Sequence, residues 1–357
     1  MTVRPTDIPG PTESSGSGPL PPVVVLAGGL THERDVSLRS GRRIAQALRE
    51  AGHQVVESDV NSALVDLLAA TEGCVVVPML HGGLGEDGAL REVLELLEVP
   101  FVGCPGAACR TTFDKSVAGT VVGRHGFNAP PQVALPHDIF RELGASHLVK
   151  ALGGRLGFPL MVKPARSGSA LGATKVNSLS ELPQALVAAY AYGPTAVVEE
   201  YIEGTEVAVA VLVTGDDEQV LPAIEIQPES GIYDYAARYT AGSTRFIVPA
   251  ELGPQETDAA DDLARGVVKA LKLDGLVRVD MIIDDLGKAW FLEANVAPGM
   301  TETSLAPMAL EAAGLGLGEV FSRLVRHAAR DPEGDASRRG LEAAAATDPA
   351  GDQKEQL

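Results

Sequence analysis

The chain has 357 residues, 45% of them hydrophobic, enough for two or three domains around a substantial core. Its formal net charge of −19 argues against a nucleic-acid or anionic-membrane partner, and any anionic ligand must be met by a local cluster of cations. No apolar run approaches the roughly 18 residues of a membrane span, and the Pro-, Ser- and Gly-rich start lacks a signal-peptide core, so a cytoplasmic protein is expected. Cys74, Cys104 and Cys109 show no metal-ligand or redox spacing and read as reduced thiols, small buried hydrophobes. Residues 1–20 and 331–357 have compositions that cannot bury enough apolar area to order themselves, and both read as disordered tails.

In chain order, residues 23–26 form an apolar strand running into Gly28 and Gly29, and the spacing of Leu38, Ile44, Ala47 and Leu48 predicts a helix from 37 to about 51. Residues 55–58 and 74–80 read as further strands with helical material between them. Strand and helix alternating in this way imply a parallel sheet, with ligands at the carboxyl ends of the strands, here residues 28–33 and 81–88. Neither loop carries GxGxxG or GxxxxGK[ST], so dinucleotide and P-loop fingerprints are absent. In a second unit, residues 112–124 read as a helix, 159–163 as a strand and 174–177 as its return. The loop between these strands, Arg166-Ser167-Gly168-Ser169-Ala170-Leu171-Gly172, can fold over phosphates and donate backbone N–H groups, with Lys163 at its base as a point charge. Glu199-Glu200-Tyr201-Ile202 follows at the junction with a third unit, where a planar base could slot between domains. That unit opens with strands around 206–213 and 219–226.

The densest chemistry lies in VRVDMIIDDLGKAWFLEANVAPGM, residues 277–300. Residues 277–283 and 289–295 read as two strands joined by a tight turn at Asp284, Asp285 and Gly287. Side chains alternate along a strand, so Arg278 and Asp280 share a face with Glu293 and Asn295, while Val277, Val279 and Met281 oppose Leu292 and Ala294. One hairpin register sets Asp280 beside Glu293 and Arg278 beside Asn295. Like charges opposite each other repel, so a buried Asp–Glu pair needs a cation between its members or one shared proton. Oxygen ligands favour a hard ion, and Mg2+ is usually held by one or two carboxylates plus substrate phosphates. The plainer alternative is a solvated hairpin with a surface ion pair.

Taken together and in order, AGGLTHERDVSLRSG, HGGLGEDGALREVLELLEVPFVG, FDK, VKPARSGSALG, IQPESGIYDYAARYT, VRVD and LEANVAPGMTETSL resemble the D-alanine–D-alanine ligases of the ATP-grasp superfamily, from about residue 23 to 329. The resemblance implies an α/β chain: an N-terminal parallel-sheet substrate domain (21–104), then an α+β ATP-grasp fold of a central subdomain with a glycine-rich lid (105–200) and a C-terminal subdomain with the metal site (201–330). It implies an enzyme that phosphorylates the carboxylate of one D-alanine with ATP and lets the amine of a second attack the acylphosphate, for peptidoglycan precursor synthesis. ATP would be the co-substrate, with two Mg2+ or Mn2+ ions, and the enzyme a homodimer. By the same resemblance Asp280, Glu293 and Asn295 bind metal, Lys115, Lys163 and Arg238 neutralise phosphate, and Ser169 and Glu200 belong to the ATP site. Glu199 and Ile202 would contact adenine and Glu206 the ribose. Arg278, with backbone N–H around Gly299, would stabilise the tetrahedral intermediate.

On the amino-acid side the resemblance assigns Glu33 to the ammonium of the first D-alanine. Ser169 and Tyr239 would complete a Glu–Ser–Tyr set tying the lid to the N-terminal domain, with His81 near the same pocket. Ser304 and Leu305 would contact the second substrate's carboxylate and close its pocket. Tyr239 and Leu305 favour D-alanine as second substrate over the D-lactate or D-serine of relatives. Three residues depart from the family pattern: Ser167 where Glu is frequent, Ala170 where a second lid serine is common, and Arg238 where lysine is usual. The rival readings are a ligase of different substrate and a catalytically weak paralogue that kept the nucleotide fold.

Overall fold

The computed structural model describes residues 20–330, apart from Ala241 and the side chain of Tyr239. The disorder expected for the tails falls on residues 1–19 and 331–357, outside the described residues. The chain opens with β1 (Val23–Leu26), α1 (Arg34–Glu50), β2 (Val55–Ser58), α2 (Leu64–Ala70), β3 (Val75–Pro78) and α3 (Ala89–Leu96). Four apolar residues in a row suit a strand buried on both faces, and β1 is the middle of a parallel sheet of order β2-β1-β3. The helix expected from residue 37 starts three residues sooner, which puts Glu33 at its N-cap position without using its carboxylate as a cap.

Next come α4 (Gly106–Phe113) and α5 (Lys115–Arg124), where one helix was expected over 112–124. The break falls at Asp114, whose extended backbone stops α4 and whose carboxylate accepts the Ser116 hydroxyl at 2.7 Å and the Val117 N–H at 3.3 Å, capping α5. Lys115 therefore heads a helix rather than lying inside one. A four-stranded sheet follows, built from β4 (Gln132–Pro136), α6 (His137–Leu143), α7 (Ala145–Leu156), β5 (Leu160–Pro164), β6 (Thr174–Val176), α8 (Leu182–Tyr190) and β7 (Thr195–Glu200). Its order is β4-β7-β5-β6, and β5 and β6 are antiparallel with residues 165–173 as their connection, as expected for the lid.

The last sheet contains β8 (Thr205–Thr214), β9 (Asp217–Val220), β10 (Ile224–Pro228), β11 (Thr244–Ile247), β12 (Gly275–Ile283) and β13 (Ala289–Asn295), with α9 (Tyr235–Tyr239) and α10 (Pro254–Leu271) among them and α11 (Leu305–Ala312) and α12 (Leu317–Arg330) after them. Its order is β11-β10-β8-β12-β13, with β9 also on β8. The strand expected over 219–226 is two strands, because Pro222 has no N–H to give the ladder; both pieces still run along β8. The hairpin register is the one expected: Arg278 faces Asn295, Val279 faces Ala294 and Asp280 faces Glu293. Beyond Asp280 a bulge sets Met281 opposite Phe291 instead of Leu292. Phe291 thus enters the core with Val277, Val279 and Met281, and Leu292, expected there, turns to the ligand side.

Strand β8 alternates between two cores. Val207, Val209 and Val211 meet Ala260, Leu263, Ala264 and Val267 of α10, whose i, i+3, i+4, i+7 spacing is that of an amphipathic helix. Ala208, Ala210 and Leu212 face α11 and share a core with its Ala306, Ala309 and Leu310, with Phe321, Leu324 and Val325 of α12, and with Ile44 and Leu48 of α1. Helices α11 and α12 therefore join the N-terminal sheet to the C-terminal one. Phe291→Ala should cost about 3–5 kcal/mol in urea unfolding, and Leu292→Ala less than half as much. Equal costs, or the reverse order, would mean that the bulge does not sort these side chains as described.

Candidate active site

Two adjoining cavities, of about 1050 and 890 Å3 with their open mouths included, lie between the sheets and beneath the lid. Each is large enough for a small-molecule ligand. The first is walled by Glu33, His81, Ser169, Arg278, Asn295, Gly299, Ser304 and Leu305. The second is walled by Lys163, Glu199, Glu200, Ile202, Glu206 and Asp280. Lys115, Arg238 and Glu293 border both. The site residues anticipated from the sequence thus gather around one pair of cavities; Tyr239 closes α9, and its side chain lies outside the described residues.

The repulsion expected between Asp280 and Glu293 is met by cations from separate elements. Arg278 grips Asp280 with both prongs, Nε to Oδ1 at 2.7 Å and Nη2 to Oδ2 at 2.8 Å, and both side chains are buried. Glu293 takes Lys115 Nζ at 3.0 Å and Arg238 Nη2 at 3.9 Å. Burial pushes the Glu293 carboxyl up, but Lys115, Arg238 and Lys163 together outweigh it and hold the group at about 2. Lys115 also donates to the carbonyl of the lid residue Ser167 at 2.6 Å, and its own N–H donates to Ala165 O, so the head of α5 is tied to the lid. Arg238 lies over the Tyr233 ring, 4.3 Å from its centroid.

In the second cavity Lys163 and Glu199, on neighbouring strands β5 and β7, form a buried pair at 2.6 Å. Burial pushes Glu206 up to about 7, with Asp280 and Glu293 adding to the rise and Arg238 opposing it. In the first cavity Ser169 Oγ donates to Glu33, which joins the lid to the loop after β1. Ser169 and Ala170 reach there with φ of +52° and +53°, a region that costs non-glycine residues free energy. A Cβ at Gly168 would lie 2.9 Å from Glu33 Oε2, so a larger residue there would displace the Glu33 carboxylate.

His81 is buried and satisfied at both nitrogens. Ala297 O can only accept, so Nδ1 carries the proton at 2.9 Å; Nε2 accepts from Ser40 Oγ at 3.1 Å. Burial holds its pKa below the usual imidazole value, so the ring is neutral. Ser304 stands at the N-cap position of α11, and its hydroxyl accepts the Thr301 N–H at 3.1 Å. Asn295 Oδ1 accepts the Ala297 N–H at 3.1 Å. Among the described residues no three His, Cys, Asp or Glu side chains form a metal cage. The oxygen set of Asp280, Glu293 and Asn295 still fits a hard divalent ion that takes its remaining ligands from phosphates.

Glu86 is a wall residue that the sequence reading did not single out, although HGGLGEDG contains it. Burial, with Glu33 adding, pushes its carboxyl up to about 8 against a Gly82 N–H that favours the anion. Nothing in a loop sequence distinguishes a buried carboxyl from a solvated one. Tyr233 and Thr301 were missed for the same reason.

A parallel sheet, a lid-bearing antiparallel sheet and a carboxylate-bearing hairpin, meeting around two joined cavities, make an ATP-grasp fold. Residues 122–326 match the family model described as the D-ala D-ala ligase C-terminus. The chain is 36% identical over 304 residues to the D-alanine–D-alanine ligase of Pelotomaculum thermopropionicum, covering 85% of this chain and 95% of that one. It is 38% identical to the ligase of the same name from Syntrophotalea carbinolica, covering 85% and 94%. Among solved structures it is similar to the VanG D-Ala:D-Ser ligase of Enterococcus faecalis (TM-score 0.74, 28% identity, 86% of this chain and 99% of that chain). It is also similar to the D-alanine–D-alanine ligase of Bacillus anthracis complexed with ATP (TM-score 0.73, 26% identity, 87% and 98%). The chain belongs to the D-alanine–D-alanine ligase family.

The raised Glu86 pKa has a consequence for stability. Between about pH 4.5 and about 8 the unfolded chain releases this proton while the folded protein keeps it, so the group's contribution to stability falls as pH rises through that window. Glu86→Gln removes the dependence. From about pH 5 to about pH 8 the stability difference should move in the variant's favour, by on the order of a few kcal/mol at most. Urea unfolding of both proteins at the two pH values measures it; a difference that does not change with pH would remove Glu86 from the titrating set.

Proposed function

We propose that the protein joins two D-alanine molecules into D-alanyl-D-alanine with ATP, through a D-alanyl phosphate. The observation that carries this reading is the common wall of Lys115, Arg238 and Glu293 between a nucleotide-sized cavity and an amino-acid cavity, where a phosphoryl group would cross. Glu199 and Ile202 would receive adenine, Glu200 would line its edge, and Glu206 would bind the ribose. Lys163, Lys115 and Arg238 would neutralise the phosphates. Asp280, Glu293 and Asn295 would hold the divalent ions, two of Mg2+ or Mn2+, whose chemistry is to neutralise phosphate oxygens during transfer.

Glu33 would hold the ammonium of the first D-alanine, aided by Ser169 and Tyr239, with neutral His81 beside it. The terminal phosphoryl group passes to a carboxylate oxygen of that molecule as the bond to ADP breaks. The amine of the second D-alanine then attacks the acyl carbon, inorganic phosphate leaves, and the amine gives up a proton. Arg278 and the backbone N–H at Gly299 would stabilise the negative oxygen of the tetrahedral intermediate. Ser304 would receive the second carboxylate and Leu305 close on its methyl group. An acylphosphate hydrolyses in water, so a lid fastened to Glu33 and Lys115 has a chemical purpose.

Leu305, buried and apolar, supports D-alanine over D-serine or D-lactate as the second substrate, as do the names of the relatives at 36 and 38% identity. The three sheets support the partition into domains at 21–104, 105–200 and 201–330. A homodimer in the cytoplasm, serving peptidoglycan synthesis, completes the proposal.

Phosphate release with ATP and Mg2+ should be matched by D-alanyl-D-alanine when D-alanine is the only amino acid, with no turnover on L-alanine. A mixed product formed in preference with D-serine or D-lactate would overturn the second-substrate assignment. ATP binding without turnover on any of them would point to Ser167, Ala170 and Arg238 and to a non-catalytic paralogue. Arg278→Lys keeps a charge but loses the fork on Asp280, and should lower kcat by about 10²–10³ while the KM for ATP stays within about twofold. An unchanged kcat would remove Arg278 from the transition state.

A further inference from the structure

Helix α1 carries two fully buried serines on its inner face, where an amphipathic helix ordinarily places apolar residues. A buried hydroxyl is costly unless hydrogen-bonded, and both are used. Ser37 donates to Met79 O at 2.6 Å and accepts the Gly28 N–H at 2.7 Å, holding together the loops that leave β1 and β3. Ser40, one turn on, accepts the Met300 N–H at 3.0 Å and donates to His81 Nε2, while His81 in turn donates to Ala297 O. Arg43 completes the row. Its Nη1 donates to both Met300 O and Thr301 O, each at 3.0 Å. Arg43 and these carbonyls are more than 250 residues apart in the chain.

The segment so held, residues 297–301, lies between β13 and α11 and has no sheet partner. Hydrogen bonds from α1 and from His81 therefore set the orientation of its peptide planes. It carries Gly299, whose N–H was assigned above to the oxyanion, and leads into Ser304, assigned to the carboxylate of the second amino acid. A Cβ at Gly299 would come within 2.8 Å of Ser304 Oγ, so there is little free room between them. A shift of the Met300–Thr301 peptides would therefore move an oxyanion donor and the carboxylate contact together. Neither Ser40 nor Arg43 lines the cavities themselves.

We propose that Ser40 and Arg43 are positioning residues for the attacking amino acid, acting through the backbone of residues 297–301. This rests on the ligase reading. Helix α1 then serves both amino acids: Glu33 at its N-cap position holds the first, and the Ser40–Arg43 row sets the loop that receives the second.

The experiment is steady-state kinetics on the full-length protein, with separate KM values for ATP, for the first D-alanine and for the second. Dipeptide formation by the wild type is measured first, and its absence would overturn the ligase reading and this proposal with it. Given wild-type turnover, Arg43→Gln and Ser40→Ala should raise the KM for the second D-alanine about tenfold or more. The other two KM values should stay within about twofold of wild type. Arg43→Lys, which can still donate to both carbonyls, should recover most of the loss. Amide hydrogen exchange should rise at residues 299–304 in Arg43→Gln without rising in the strands of the C-terminal sheet. All three KM values moving together, or none moving, would overturn the positioning role while leaving the ligase reading intact. If Arg43→Gln does not fold, Ser40→Ala alone decides by the same criteria.

Discussion

Two carboxylates facing each other across β12 and β13 set the terms for the rest of the molecule. Asp280 and Glu293 sit in register, one buried and the other largely so, and like charges so placed would drive the strands apart or force one group to take a proton. The chain supplies cations instead, and they come from different parts of it. Arg278 comes from the same strand, Lys115 from the head of α5, Arg238 from α9 and Lys163 from β5 in another sheet. Neutralising one hairpin thus requires the central and C-terminal sheets to meet at one place.

That arrangement has an electrostatic purpose. The cations that balance these two carboxylates are gathered locally in a protein whose overall charge is −19, and they are the ones the proposed phosphoryl transfer would use. The same surroundings raise Glu206 and Glu86, where no cation lies close enough to offset burial, and lower Glu293, where three do. Neighbouring carboxyls are thereby given widely separated pKa values by their surroundings.

The lid and helix α1 work on the other half of the site. Ser169 and Ala170 accept an unfavourable backbone conformation in bringing the lid to Glu33, and Gly168 leaves the space that contact needs. On the opposite side, the Ser40 hydroxyl and the Arg43 guanidinium of α1 take the place of the sheet partner that residues 297–301 lack. Two segments without regular structure are thus held by side chains of one helix and of the residue at its cap position.

Short-range pattern alone determined the N-terminal strands, the lid between β5 and β6, and the hairpin register, because apolar runs, glycine clusters and strand alternation act over a few residues. The ligand-bearing faces followed from the same alternation, and motif order did the rest for the family. What tertiary packing decided lay where a local rule yielded to a distant neighbour or a single side chain. The bulge that exchanges Phe291 for Leu292 puts the larger ring into the core against α10, and no strand pattern foretells it. Asp114 splits a helix because its carboxylate finds the N–H groups ahead of it, and Pro222 splits a strand for want of one. The buried serines of α1, the protonated Glu86 and the neutral His81 depend on partners far away in sequence, or on water excluded by packing. Hydrogen-bond satisfaction and desolvation arise only once the chain has closed on itself, so the sequence named the residues and the fold gave them their charges and their neighbours.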